Sequence, residues 1–324
     1  MDRRRFIYSA AMLSALTAFA HKDARAATER PAGAPASSMD AREFKASRRF
    51  ASLSQGRRIA YVERGQGAVA LFLHGLPLNG YQWRGALENL AGARRCIAPD
   101  LMGAGASEIP EGTDQSPDAQ VAMLVAFLDS LKIKSVDLVG SDSGGGMAQL
   151  FAARHPKRVR TLLLTNCDTG SNSPPQALLP LIADAHAGVA AEKWITPLLN
   201  DLTTARQTLG QAYTHPETLT PELLEIYLRP LVQTPLRRKQ YDEALIVLEK
   251  NVLLPVEPQL RKLVAPVRML WGTADTIFGL DSADYLDHLF PHSRGIRRIE
   301  GAKLFWPEEF PQIIAEEARK LWGV

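Results

Sequence analysis

The sequence predicts an α/β protein: a mostly parallel sheet with helices on both faces and an inserted helical cap. Three observations predict it. Strand-like and helix-like stretches alternate along most of the chain, the arrangement that buries a parallel sheet between two helical layers. The alternation stops between Asp168 and Val264, where proline-punctuated helical segments replace it. Third, Val136-Asp137-Leu138-Val139 runs into Gly140-Ser141-Asp142-Ser143-Gly144-Gly145 and then a helix, a sharp strand-to-helix turn.

Taken in order, 49–54 and 58–63 read as strands around Gln55-Gly56, a hairpin. Residues 68–73 form a continuous apolar run, as a strand buried on both faces requires. Helical spacing marks 81–90. A short strand at 95–98 ends at Pro99-Asp100, and 120–131 is an amphipathic helix. Strands at 136–139 and 161–165 enclose a helix at 147–154. The stretch that follows is too long for a structureless loop, so it is expected to be a helical cap over the strand ends. A strand at 267–271, a helix at 282–289, a strand at 295–299 and a helix at 309–321 close the chain. The expected core is therefore 46–168 together with 261–324, and the cap is 169–260.

Composition narrows the function. With 324 residues, 46% hydrophobic and 23% charged, the chain can bury a sizeable core, which excludes a disordered or disulfide-stapled protein. Its two cysteines, Cys96 and Cys167, fall on different strands and are expected to be free, buried thiols. The net charge is +3, and residues 1–26, with five basic and two acidic side chains, account for all of it. The neutral remainder gives no reason to expect nucleic acid or an anionic membrane as partner. No metal-ligand spacing, phosphate loop or nucleotide fingerprint occurs, so no cofactor and no metal is expected. The expected partner is a small-molecule substrate or ligand.

The first 26 residues read as an export signal. Arg3, Arg4 and Arg5 precede an uncharged apolar run from Phe6 to Ala20, and Ala24-Arg25-Ala26 offers small residues for cleavage. The run is shorter than the ~20 residues of a spanning helix. The arginine pair before a hydrophobic residue resembles a twin-arginine signal and implies a periplasmic or secreted protein. Residues 27–45, rich in Ala, Pro, Ser and Gly, are expected to be a flexible tether.

The turn after the strand at 136–139 carries the chemistry. A tight strand-to-helix turn strains one residue and projects its side chain, and its neighbours two positions away must lack bulk. Gly140 and Gly144 satisfy this around Asp142; a second register would centre Ser143 between Ser141 and Gly145. His74-Gly75-Leu76-Pro77 follows the buried strand at 68–73. There the N–H of Leu76, with that of Ser143, is expected to form an oxyanion hole, and His74 is expected to be structural. Trp271-Gly272-Thr273-Ala274-Asp275 puts a carboxylate at a strand C-terminal end, where ligands of open α/β sheets bind.

These residues resemble the α/β-hydrolase superfamily from about Arg49 to Val324. The resemblance rests on His74-Gly75-Leu76-Pro77 with Trp83, Asp100-Leu101-Met102-Gly103-Ala104-Gly105-Ala106-Ser107, the turn at Asp142, His155-Pro156, Asp275 and Pro307-Glu308-Glu309. It implies an eight-stranded sheet. An acid at the turn is similar to the branch of epoxide hydrolases and haloalkane dehalogenases, which implies Asp142 as nucleophile and Asp275 as the orienting acid.

Three departures qualify this. Leu304 stands where the resemblance implies a histidine, and no histidine follows His292. His186 and His215 lie in the expected cap. Ser143 and Leu76 stand where dehalogenases hold side-chain N–H donors for a halide, so an epoxide hydrolase-like activity is expected more than a dehalogenase-like one. The cap offers Tyr213, Tyr227 and Tyr241, of which Tyr227 is the candidate for polarising an opening oxygen. Without an imidazole, a carboxylate pair of Asp142 and Asp275 is one route to water activation, and Lys303 beside the vacant position is another. Asp168, at the edge of the sheet, is a reserve acid. A non-hydrolytic ligand-binding scaffold and an esterase using Ser143 remain alternatives.

Overall fold

A computed structural model describes residues 39–324. The export signal at 1–26 and the tether up to residue 38 lie outside the described residues. The last part of the expected tether is ordered instead. Asp40 caps a short helix, Ala41–Ala46, and the side chains of Met39 and Phe44 are buried. Phe44 meets Tyr81 edge to face at 4.9 Å between ring centroids, and this anchored aromatic overrides the tether-like composition around it.

Eight strands form one sheet. They are β1 (Arg49–Ser52), β2 (Arg58–Arg64), β3 (Val69–Leu73), β4 (Arg95–Pro99), β5 (Val136–Asp142), β6 (Val159–Cys167), β7 (Val267–Gly272) and β8 (Ser293–Ile299), in the spatial order β1-β2-β4-β3-β5-β6-β7-β8. β1 pairs with β2 and β2 with β4 in antiparallel fashion; every other pairing is parallel. The hairpin between β1 and β2 turns on Gln55 and Gly56, both at positive φ, the conformation a tight hairpin demands. β3, β5 and β6 are buried along almost their whole length, which explains why they read as apolar runs rather than alternating ones. Cys96 and Cys167 are free and buried, on strands separated by β3 and β5.

Several boundaries differ from the sequence reading, and two helix starts among them have clear physical causes. The helix after β5 begins at Ser143, four residues earlier than its periodicity suggests. Three consecutive glycines, Gly144 to Gly146, carry no helical propensity, but packing holds them. A Cβ on Gly144 would lie 2.3 Å from the His74 carbonyl oxygen, and one on Gly145 would lie 2.3 Å from Cys167 Cβ. The C-terminal helix starts at Pro311, after a separate turn of helix at Trp306–Glu309. Proline pushes the residue before it out of the helical region, and Phe310 sits at φ −127°, ψ 57°.

Between β6 and β7 every described helix or strand is a helix, so the cap is helical. It is tied to the core by polar contacts. Arg237, on the cap helix Pro235–Ile246, donates to the carbonyls of Ser107, Gly105 and Gly103, and Asn79 donates to the Ile226 carbonyl at 2.8 Å. These bonds hold the cap against the loops after β3 and β4, at the C-terminal edge of the parallel strands.

Candidate active site

β5 ends at Asp142, whose backbone takes φ 54° and ψ −133° before the helix Ser143–Arg154 begins. A non-glycine residue here is strained by of order 1–3 kcal/mol, a cost that persists only where surrounding structure imposes it. The strain falls on Asp142 and not on Ser143, which is already the first residue of the helix. Gly140 allows the turn to close, since a Cβ there would lie 2.7 Å from the Gly144 carbonyl oxygen.

The Asp142 side chain is buried, and its Oδ2 accepts the N–H of Leu76 at 2.8 Å. The Ser143 N–H also acts on this carboxylate, favouring its charged form. Gly75 must be glycine for this to happen, because a Cβ there would lie 2.2 Å from Asp142 Oδ2. Burial pushes the Asp142 carboxyl well above the ordinary carboxylate range, and the neighbouring Asp168 and Asp275 add to the rise. The N–H groups of Leu76 and Ser143 oppose it.

Asp168 directly follows Cys167, the residue that pairs with Asp142 across the β5–β6 ladder. It sits against the first turn of the helix, 3.1 Å from where a Gly146 Cβ would be. Burial lifts its pKa to about 6, against the hydrogen bonds from Ser173 and from its own N–H. Asp275 is held more tightly. Oδ1 accepts the Ile277 N–H at 2.9 Å and Oδ2 the Asn166 amide at 2.9 Å. Burial lifts Asp275 to about 6 as well, with Ile277, Asn166 and Phe278 opposing. The sequence-predicted Asp142, Asp168 and Asp275 thus converge on one cluster, with no cation among the groups that shift them.

Asn166 was given no role by sequence reasoning. It is fully buried, and besides Asp275 it accepts from the Gly272 N–H at 2.7 Å and from the Trp306 indole at 3.0 Å. One amide therefore joins β6, the loop after β7 and the segment after β8. An asparagine at the inner end of an apolar strand was the available signal.

Two expectations are corrected. Tyr227 is buried and its hydroxyl donates to Glu308 at 2.8 Å. Tyr213 donates to the other oxygen of Glu308 at 2.8 Å, and Arg84 forms an ion pair with it. Tyr227's single proton is spent on this cap-to-core tie, so it is not free to polarise a substrate. Lys303 forms no ion pair with Asp142 or Asp275 among the described residues; its backbone N–H bonds Thr214. Leu304 is buried, 3% exposed. His186 and His215 are exposed and pair with Glu249 and Glu217. His74 accepts the Leu101 N–H on Nε2 at 3.0 Å, which leaves its proton on Nδ1, directed to the Gly75 carbonyl at 3.0 Å. Burial lowers its pKa, so it is a neutral structural imidazole that shapes the loop.

A cavity of about 40 Å³ opens beside Leu76 and Ser143, with none of the three carboxylates on its wall. Gly75, Leu76, Ser143 and Met147 form one wall, and Ala244, Val247 and Leu248 of the cap another. Among the described residues no group of three or more His, Cys, Asp or Glu is placed to hold a metal ion.

Residues 69–305 match the profile of the alpha/beta hydrolase fold family, more than half of the chain. The chain belongs to that family. Among curated members, it is 39% identical over 115 residues to a 2-hydroxymuconate semialdehyde hydrolase of Pseudomonas sp. strain CF600, covering 35% of this chain and 41% of that one. It is 45% identical over 102 residues to a haloalkane dehalogenase of Mesorhizobium japonicum, covering 31% and 33%. These matches span about two fifths or less of the relatives' length. Among solved structures, the epoxide hydrolase CorEH superposes with a TM-score of 0.70 at 23% identity, covering 85% of this chain and 98% of that one.

Proposed function

We propose that the chain is an exported hydrolase that attacks a small, mainly apolar electrophile through Asp142, more in the manner of an epoxide hydrolase than of a haloalkane dehalogenase. The observation that carries this reading is the strained turn at Asp142 with the Leu76 and Ser143 N–H groups on its carboxylate. A relative named as a haloalkane dehalogenase supports the reaction class.

In the first step the one proton of the pair sits on Asp168 rather than on the higher-pKa Asp142, an oxygen of the ionised Asp142 attacks an sp3 carbon of the epoxide, and the C–O bond of the ring breaks. Protonated Asp168 gives its proton to the opening oxygen. In the second step water adds to the ester carbonyl and Asp168, now a carboxylate, takes its proton. The Leu76 and Ser143 N–H groups hold the tetrahedral oxyanion. Collapse releases the second hydroxyl, which leaves with the proton of the regenerated Asp142 carboxyl. The sum is epoxide plus water to diol. Asp168 suits the acid–base role because it is partly exposed, while the Asp275 oxygens are held by Ile277 and Asn166.

A halide leaving group is less well served. The side-chain nitrogens lining the cavity each already donate elsewhere: Gln120 to the Met102 carbonyl, Gln115 to the Gln240 carbonyl and His74 to Gly75. A halide needs desolvated donors of its own.

The test is intact-protein mass and product analysis with a panel of epoxides, alkyl halides and activated esters. Diol formation from epoxides, abolished in Asp142→Ala, is the expected result. No adduct and no product on any compound would overturn hydrolysis in favour of a ligand-binding scaffold. Export rests on the basic cluster and apolar run of residues 1–26. A periplasmic mature chain beginning at Ala27 is expected, and retention of the precursor in the cytoplasm would overturn it.

A further inference from the structure

The helix Ser143–Arg154 buries most of its residues, and among the buried ones Gln149 alone has a polar side chain. It is fully buried. Its Nε2 donates to the backbone carbonyl of Asp168 at 2.7 Å and to the Gly145 carbonyl at 3.2 Å, and lies 3.6 Å from Cys167 Sγ. The amide orientation is held, since turning it over would set Oε1 against two carbonyl oxygens. Oε1 itself is buried with no hydrogen-bond partner among the described residues. An apolar side chain of the same length would leave no such oxygen, so what the amide contributes here is its donor.

Its two carbonyl partners belong to the two halves of the site. Gly145 lies in the first turn of the helix, close behind Ser143, whose N–H acts on the Asp142 carboxylate. Asp168 directly follows the last rung of the β5–β6 ladder, the pair of Asp142 and Cys167. The strand pairing ends there, and the Gln149 amide carries the attachment one residue further, to the Asp168 carbonyl. Gly146 completes the seat. A Cβ there would lie 3.1 Å from Asp168 Cβ, so the glycine lets the strand end and the helix approach.

We propose that Gln149 is a positioning residue of the reaction. By bridging the helix that starts at the oxyanion hole and the backbone of Asp168, it fixes the Asp168 carboxyl where it can give a proton to the opening oxygen and take one from water. This rests on the reading of Asp168 as the acid and base. Gln149 moves no proton itself; it acts through Asp168.

Gln149→Met keeps the length and bulk of the side chain and removes the donor. With an activated alkyl halide, which needs no acid, alkylation of Asp142 is expected to proceed while hydrolysis of the ester slows by about 10- to 100-fold. The adduct on Asp142 then accumulates in intact-mass spectra, whereas a merely structural fault would slow both steps. Gln149→Met added to Asp168→Asn is expected to slow ester hydrolysis no further, because the group it positions is already gone. Gln149→Asn, shorter by a methylene, is expected to behave as Gln149→Met does and serves where the latter folds poorly. One readout needs no substrate: the Asp168 carboxyl, lifted to about 6 by burial, is expected to titrate lower in Gln149→Met by carbon NMR of labelled protein, as it gains access to water. Adduct accumulation in Asp168→Asn but in neither Gln149 variant would overturn the positioning role alone. So would further slowing in the double variant, or an unmoved Asp168 titration. No accumulation in Asp168→Asn would overturn the reading of Asp168, and this proposal with it.

Discussion

The Leu76 N–H donates to Oδ2 of Asp142 at 2.8 Å, across 66 positions of sequence. The contact requires glycine at position 75, since a Cβ there would lie 2.2 Å from the same oxygen and 2.4 Å from Asp142 Cβ. Gly75→Ala therefore displaces the carboxylate without touching its chemistry. A shift of about 1 Å at a reacting group is expected to lower kcat by about 100-fold. Steady-state kinetics on a responsive epoxide check this, with circular dichroism confirming the fold.

Asp168→Asn separates the two chemical steps. The ester on Asp142 loses the base that activates water, so its hydrolysis is expected to slow by about 10²–10⁴-fold. An adduct on Asp142 should then accumulate in intact-mass spectra with an electrophile that needs no acid, such as an activated alkyl halide. Accumulation in Asp275→Asn but not in Asp168→Asn would move the role to Asp275.

The pH profile follows from the shared proton. Asp168 lies close enough to raise the Asp142 carboxyl further, and burial lifts both. The active form holds one proton on the pair, so activity falls in acid as the second carboxyl protonates and falls in alkali as the last proton leaves. A bell-shaped profile of kcat/KM is expected, its limbs above the ordinary carboxylate range. Asp168→Asn should remove one limb.

Stability carries the opposite signature. A folded-state pKa above the unfolded one means the native state holds more protons, so stability falls as pH rises through that interval. Asp142 and Asp275 both have raised values, Asp275 at about 6. Asparagine at position 142 does not titrate and keeps an acceptor for Leu76. The melting temperature of Asp142→Asn relative to the native protein is expected to increase from pH 4 to pH 8, a trend differential scanning fluorimetry reads directly.

Tyr227→Phe checks the cap tie. Its hydroxyl serves Glu308, which also holds Arg84 and Tyr213. Removing it is expected to cost about 1–3 kcal/mol of stability in urea unfolding and to leave turnover per folded molecule unchanged. A large loss of kcat at full folding would return Tyr227 to the chemistry.

Local pattern was enough for much of this. The apolar runs at β3, β5, β6 and β7, the hairpin at Gln55-Gly56 and the proline-rich helical stretch defined a capped parallel sheet, because strand burial and turn geometry leave marks on nearest neighbours in sequence. The small residues around Asp142 located the turn for the same reason: a missing Cβ is a local requirement. What only the tertiary structure decided was partnership. That Tyr227 spends its proton on Glu308 and that Asn166 binds Asp275 depend on residues brought together by the sheet and cap. No periodicity encodes those meetings, and it is they that set which polar atoms are satisfied by the fold itself.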